Sequence, residues 1–257
     1  WATNEVDYFI LEKMEVSEFS PNDAASKDAL VKRAYADLIG LPPTYEELTH
    51  WRSVSTEDWY ERLINDLLQK PAYGEKLALI WMDLARYADS YGFQDDNIRS
   101  QWPWRDWVIH AFNDNLPYDQ FLINQIAGDL LPNATKKNIL ATAFFRNHKF
   151  TEEGGVIDEE YRVSYNIDKT RTYGKAFLGV TIECAQCHDH KYDPFSNREY
   201  YQLYAFFNES KEKGFEGDVS VSTPAKNPKL LISAQERNKL LSFLNTSDTS
   251  QLEVSVM

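Results

Sequence analysis

"SKDALVKRAYADLIGLPPTYEEL", Ser26 to Leu48, holds a helical run, its stop and the start of the next helix. The run ends at Gly40, and Pro42 and Pro43 follow, the glycine-then-proline signal that terminates helices. Thr44 with Glu47 then forms a capping-box pattern. The pattern recurs at Ser196 with Glu199 and at Ser233 with Glu236. Upstream, Val6, Phe9, Ile10 and Met14 fall at spacings of three and four, the stripe of an amphipathic helix. Further helices are expected near residues 56–69, 73–90, 103–114, 118–129, 135–147, 159–178, 197–207 and 233–244. Long β-branched alternation is scarce, so the chain reads as all-α, an irregular multi-helix domain.

Two long polar connections interrupt the helices: "YGFQDDNIRSQW" (91–102) and "HKFTEEGGVIDEE" (148–160). Connections longer than packing requires often carry function. The stretch 211–229, "KEKGFEGDVSVSTPAKNPK", reads as a loop leading to one last helix and a polar tail.

The 257 residues include 40 acids against 27 basic side chains, a formal net charge of −13. That balance argues against nucleic acid or an anionic membrane surface as partner and suits a neutral or cationic one. Aromatic residues make up 14%, with seven Trp and fifteen Tyr, enough to wall an apolar pocket or to fill a helical core. No stretch approaches the ~20 apolar residues that span a bilayer, so the chain is not expected to be membrane-spanning. Its start at Trp1, without an initiator methionine, reads as a mature or excised chain.

"IECAQCHDHKYDPF" (182–195) contains both cysteines, Cys184 and Cys187, and two of the five histidines, His188 and His190. Cys-x-x-Cys followed by His is the c-type haem attachment pattern. Two thiols one turn apart add to the two vinyl groups on one side of a porphyrin, and the adjacent imidazole serves as the axial iron ligand. Cys184 and Cys187 are thus candidate thioether anchors for one covalent haem c, and His188 is the candidate proximal ligand. Three other readings compete. A thioredoxin-like redox pair wants a βαβ context that is absent. A zinc site would need Cys184, Cys187, His188 and His190, four ligands within seven residues. A structural cysteine pair would not require the histidine.

More than the motif is familiar. "CAQCHDHKYDPFSNREYYQLYAFFN" resembles the signature of the planctomycete-type secreted cytochrome domain, a family catalogued largely as of unknown function. "LVKRAYADLIGLPPTYEEL", "PAYGEKLALIWMDLARYADSYGFQDD", "WPWRDWVIHAFNDNLPYDQFLINQIAGDLLPNAT", "ATAFFRNHKFTEEGGVIDEEYRV" and "FLGVTIECAQCHDHKYDP" each resemble a block of that family, in the same order. Departures are Tyr173 and Gly174, where the family more often has threonines, and a loose match after Phe215. The resemblance implies a periplasmic or extracellular protein with one covalent haem, built around long functional loops and set within a longer multidomain chain. It partitions this sequence into a helical cytochrome-type domain, 1–210, and a segment, 211–257, leading to a downstream domain.

A sixth iron ligand is a separate question. His148, in a block of that resemblance and at the junction of a helix with a polar loop, is the distal candidate. Met82 is the weaker one, set among aromatics where core packing is its simpler role. His190, two residues from His188, cannot reach the opposite porphyrin face and is expected to bond nearby, to Asp193 or a propionate. His50 and His110 read as solvated or capping and Met14 as part of a helix stripe. Glu152, Glu153 and Asp158 to Glu160 are either a cation site or, for the last three, the negative first turn of a helix. Asp89, Asp95 and Asp96 lack regular calcium spacing, and Arg86, Arg99, Arg105 and Arg146 are candidate propionate partners. The functional expectation is electron transfer with a redox partner domain or protein. The alternatives are a haem enzyme with an open distal site, peroxidase-like or oxidative, and a zinc or structural module in a carbohydrate-handling assembly.

Overall fold

Caps and glycines place the helix ends. The computed structural model describes residues 1–227 and 230–243, so the polar tail expected after residue 243 lies outside the described residues. The chain divides into two units, Trp1–Lys70 and Pro71 onward.

In the first unit, α1 (Glu5–Val16) starts at a capping box of Asn4 and Asp7 and buries none of its side chains. Its stripe of Val6, Phe9 and Ile10 is exposed. Helix α2 (Lys27–Leu38) starts at Ser26 and buries Val31, Ala34 and Tyr35 on one face. It stops at Gly40, whose φ of 77° lets its N–H turn back to the carbonyls of Tyr35 and Ala36. The Thr44–Glu47 capping box then opens α3 (Tyr45–Ser53), which buries Trp51. Helix α4 (Trp59–Leu68) buries Leu63 and Leu67, and α2 packs on both α3 and α4.

The second unit begins with α5 (Pro71–Ala85), a helix with proline in its first turn, where no N–H is missed. The helix expected over 73–90 ends early because Arg86 takes a left-handed backbone, φ 60°. Residues 86–101 instead form a loop pinned by a bridge between Ser90 and Ile98. Helix α6 (Trp102–Asn113), α7 (Tyr118–Ala127) and α8 (Lys136–Ala141) follow. The helix expected over 135–147 tightens after Ala141 into a 3₁₀ stretch, Thr142–Arg146. Trp81, Trp104, Val108, Phe121 and Phe144 form the core that α5, α6, α7 and this stretch share. Trp81 lies edge-on to Phe121, at 5.0 Å between ring centres, and donates its indole N–H to Gln125 Oε1 at 2.8 Å. The one polar atom of this ring is thereby satisfied.

Helix α9 (Asp158–Tyr173) widens into a π-helical turn, Gly174–Leu178, and leads to a 3₁₀ turn, Ile182–Gln186. Helix α10 (Asn197–Asn208) starts at the Ser196–Glu199 capping box. The stretch read as a loop is instead a hairpin, β1 (Glu216–Asp218) paired antiparallel with β2 (Val221–Thr223). A last helix, α11 (Ala234–Phe243), completes an all-α fold with one small hairpin among the described residues.

Candidate functional site

The cysteine turn is built on the end of α9. Gly179, at φ 66°, reverses the chain, and the N–H of Val180 bonds the Gly174 carbonyl at 3.0 Å. Gly174 lets this happen: a Cβ there would stand 2.5 Å from Ile182 Cγ2. In a 3₁₀ turn residues three apart lie one above the other. Ile182 and Ala185 accordingly point inward, both buried beside Tyr200 of α10. Cys184 lies within this turn and Cys187 caps its end, and both are free and exposed.

The N-terminus of α10 holds the turn. Asn197 donates from Nδ2 to the carbonyls of Ala185 (2.8 Å) and Gln186 (2.9 Å), and its own N–H goes to Asp189 Oδ1 at 2.7 Å. Tyr201 donates its hydroxyl to the Gln186 carbonyl at 3.2 Å, and Arg171 donates to Gln186 Oε1 at 2.7 Å.

His188 and His190 play opposite parts. The exposed His188 has Nδ1 2.7 Å from the carbonyl of Asp189, so this nitrogen carries the proton, and Nε2 has no partner among the described residues. In His190 it is Nδ1 that accepts, from the N–H groups of Asp193 (2.9 Å) and Tyr192 (3.2 Å), and its side chain is 4% exposed. His190 thus brackets the loop after the motif. Cys184, Cys187, His188 and His190 do not converge, and among the described residues no three His, Cys, Asp or Glu side chains are arranged to hold a metal ion.

His148 lies in a buried polar cluster. Its ring stacks on Tyr165 and packs on Phe150, 4.5 and 4.3 Å between centres. Nδ1 meets the Lys149 carbonyl at 2.8 Å and Nε2 meets Glu212 Oε2 at 3.2 Å. Glu212 also binds Arg146 and Lys169. Burial alone would raise the Glu212 pKa, but attraction to His148, Arg146 and Lys169 outweighs it and holds the carboxyl far below the usual range. Burial pushes the His148 pKa down, against the pull of Glu212. As placed, His148 offers no free nitrogen to an iron. Met82 is half-buried against the core of Trp81 and Phe144.

The remaining candidates are engaged by the protein. Arg86 pairs with Asp168 at 2.8 Å and Arg105 with Asp106 at 2.8 Å. Arg99 donates to the carbonyls of Ala88, Arg146, Asn147 and His148. Glu153 and Glu152 accept the N–H groups of Gln94 and Asn97 and so clasp the 91–102 loop. Asp158, Glu159 and Glu160 form the acidic first turn of α9, and Asp158 Oδ1 accepts from Gly214 and Phe215. Asp89 takes the Tyr87 hydroxyl and Asp96 the Gly92 N–H, with no shared centre between them.

Sequence reasoning passed over Arg171, Asn197, Lys169 and Glu212. The first two carry no motif of their own. Lys169 and Glu212 meet across 43 residues, a separation that leaves no local signal.

A family model described as PSCyt2, protein of unknown function (DUF1549), matches residues 5–212. No curated protein and no solved structure matches the chain.

Proposed function

The chain belongs to the PSCyt2 family of proteins of unknown function, and we propose that within it the Cys184–His188 turn is the attachment point of one c-type haem. In this reading the protein is a periplasmic or extracellular electron carrier. The observation that supports it most is the make-up of the turn: two free, exposed thiols three residues apart, next to an imidazole whose Nδ1 is already engaged by a carbonyl. That bond sets the tautomer and leaves Nε2 as the metal-binding nitrogen, the usual arrangement of a ligating histidine. Cys184 and Cys187 would carry the thioethers and His188 the axial bond. Bound there, haem supplies a one-electron iron couple, and the chain sets its potential through ligand and exposure. Arg171, held at the turn by Gln186, is the cation offered to a propionate. The acidic surface, net −13, favours a neutral or cationic redox partner.

A second reading is a haem enzyme, and one observation favours it. His148 is committed to Glu212 and Lys149, and Met82 to the core, so neither supplies a sixth ligand as placed. An open iron face would then admit peroxide or a small substrate.

The test is a pyridine haemochrome spectrum of protein made in a host that matures c-type cytochromes, recorded after acid–acetone extraction. A c-type band that survives extraction, and disappears in the Cys184→Ser, Cys187→Ser double variant, is the expected result. A low-spin ferric form indifferent to cyanide identifies the carrier, and a high-spin form that binds cyanide identifies the enzyme. A colourless protein from that host would sink both readings.

A further inference from the structure

A pocket of about 710 Å³ opens between the 86–99 loop, residues 147–149 and one side of α9. Its volume suits a small organic ligand. None of the cysteine-turn residues line it, and Arg86, Arg99 and His148, the haem candidates that do, are placed away from that turn's proposed haem contacts by their bonds to Asp168, main-chain carbonyls and Glu212.

Its charges are unusual for so acidic a chain. Arg86, Arg99 and Lys149 line it together with only two carboxylates, Asp96 and Asp168. Arg99 spends its N–H groups on main-chain carbonyls and hydrogen-bonds no carboxylate, although Asp96 feels its charge and that of Lys149. Burial, with Arg146 nearby, lowers its pKa to about 10, which leaves it charged at neutral pH. Lys149 holds its ammonium 5.5 Å over the Phe93 ring. The Asp96 carboxylate is occupied by the Gly92 N–H at 2.6 Å.

Arg86 is the least satisfied of these groups. Its one partner is Asp168, 2.8 Å from Nη2, and its Nε and Nη1 are out of water with no acceptor among the described residues. A guanidinium in that condition is costly, because most of its donors have left water without gaining acceptors. A carboxylate would take two of those donors in parallel, which suits the planar fork. Beside it stand Tyr91, Phe93 and Tyr165, an apolar wall for a flat body. Two lining residues, Arg86 (φ 60°) and Phe93 (φ 63°), hold left-handed backbones despite their side chains. Such strain collects at ligand sites, where surrounding structure over-determines it.

We propose that this pocket binds a small aromatic carboxylate, its carboxylate on Arg86 and its ring against Tyr91, Phe93 and Tyr165. The site is independent of haem and can be tested on the chain with or without it.

The experiment is isothermal titration of the full chain with benzoate, with benzyl alcohol as its neutral counterpart and with inorganic phosphate. Benzoate should bind, benzyl alcohol should bind about tenfold more weakly, the loss of a charge-assisted pair, and phosphate should give no comparable heat. Arg86→Gln should weaken benzoate by a similar factor. Because that change strips Asp168 of its partner and threatens folding, Ser164→Trp serves as the second variant. Ser164 is an exposed residue of the lining, and an indole there should obstruct the pocket while leaving Arg86 in place. No heat from benzoate, equal affinity for benzyl alcohol, phosphate binding alone, or unchanged benzoate affinity in a folded Ser164→Trp protein would overturn the proposal.

Discussion

Glu212 is the residue on which most charge depends. Its side chain is 4% exposed and faces Arg146, Lys169 and His148. Removing one partner of a buried ionic group strands the others, and that costs more than the pair itself contributes. Glu212→Gln should therefore lower stability by about 3 kcal/mol, read from urea unfolding. The sign with pH follows from the shifts. Folded Glu212 is held below its unfolded value, so its contribution is complete above about pH 4.3 and is lost as pH falls further. His148, pushed down by burial, acts with the same sign at higher pH: below about 6.5 the unfolded chain takes up a proton that the folded chain resists. Stability should thus decline from pH 7 downward and steepen near pH 4, and the Gln variant should lose the steeper part. Equal slopes in both proteins would remove Glu212 from the account. Such a residue could not be read in the sequence, because its partners stand 43 to 66 positions away. Cys184, Cys187 and His188 could be read there because the chemistry they suggest needs only neighbours.

Among the elements, helix starts were readable and helix ends were less so. The capping boxes at Thr44, Ser196 and Ser233 all form, since each needs only a residue three positions on. The end of α5 was missed because Arg86 takes a left-handed backbone that its side chain does not announce. The hairpin was missed because its seat lies on α9: Gly214 presses so close to that helix that a Cβ would stand 2.1 Å from the Asp158 carbonyl oxygen. Backbone on both sides leaves little room to yield, so Gly214→Ala should cost about 2 kcal/mol by overpacking and loosen Glu212 two residues away. A melting curve matching the wild type would show that the hairpin can shift freely. The contact between α10 and the cysteine turn makes a second prediction. Asn197→Ala removes two hydrogen bonds to carbonyls of the turn, a loss of about 2 kcal/mol, while the Ser196 cap remains. Amides of residues 184–190 should exchange faster by mass spectrometry, with those in the body of α10 unchanged. Uniform acceleration through both would mean that the turn and α10 open as one.

At the scale of the whole molecule the division at Lys70 and Pro71 governs what can fold alone. No glycine- or serine-rich linker marks it in the sequence, since one helix simply ends and another begins. The flanking residues are nevertheless tied each to its own unit: Lys70 pairs with Glu47, and the carbonyl of Pro71 accepts from Asn113 Nδ2 at 3.1 Å. The cores differ in kind. The first unit rests on Val31, Tyr35, Trp51, Leu63 and Leu67, and a unit of its length buries only about 60% of the surface its unfolded chain exposes. The second has the aromatic core around Trp81, Trp104 and Phe144 and contains both the cysteine turn and the pocket. Heating should therefore give two calorimetric transitions, the lower belonging to Trp1–Lys70. A chain beginning at Pro71 should keep its helical circular dichroism, reproduce the upper transition and retain two thiols titratable without denaturant. A single transition in the full chain, together with an unfolded fragment, would instead show that the two units fold only as one cooperative body.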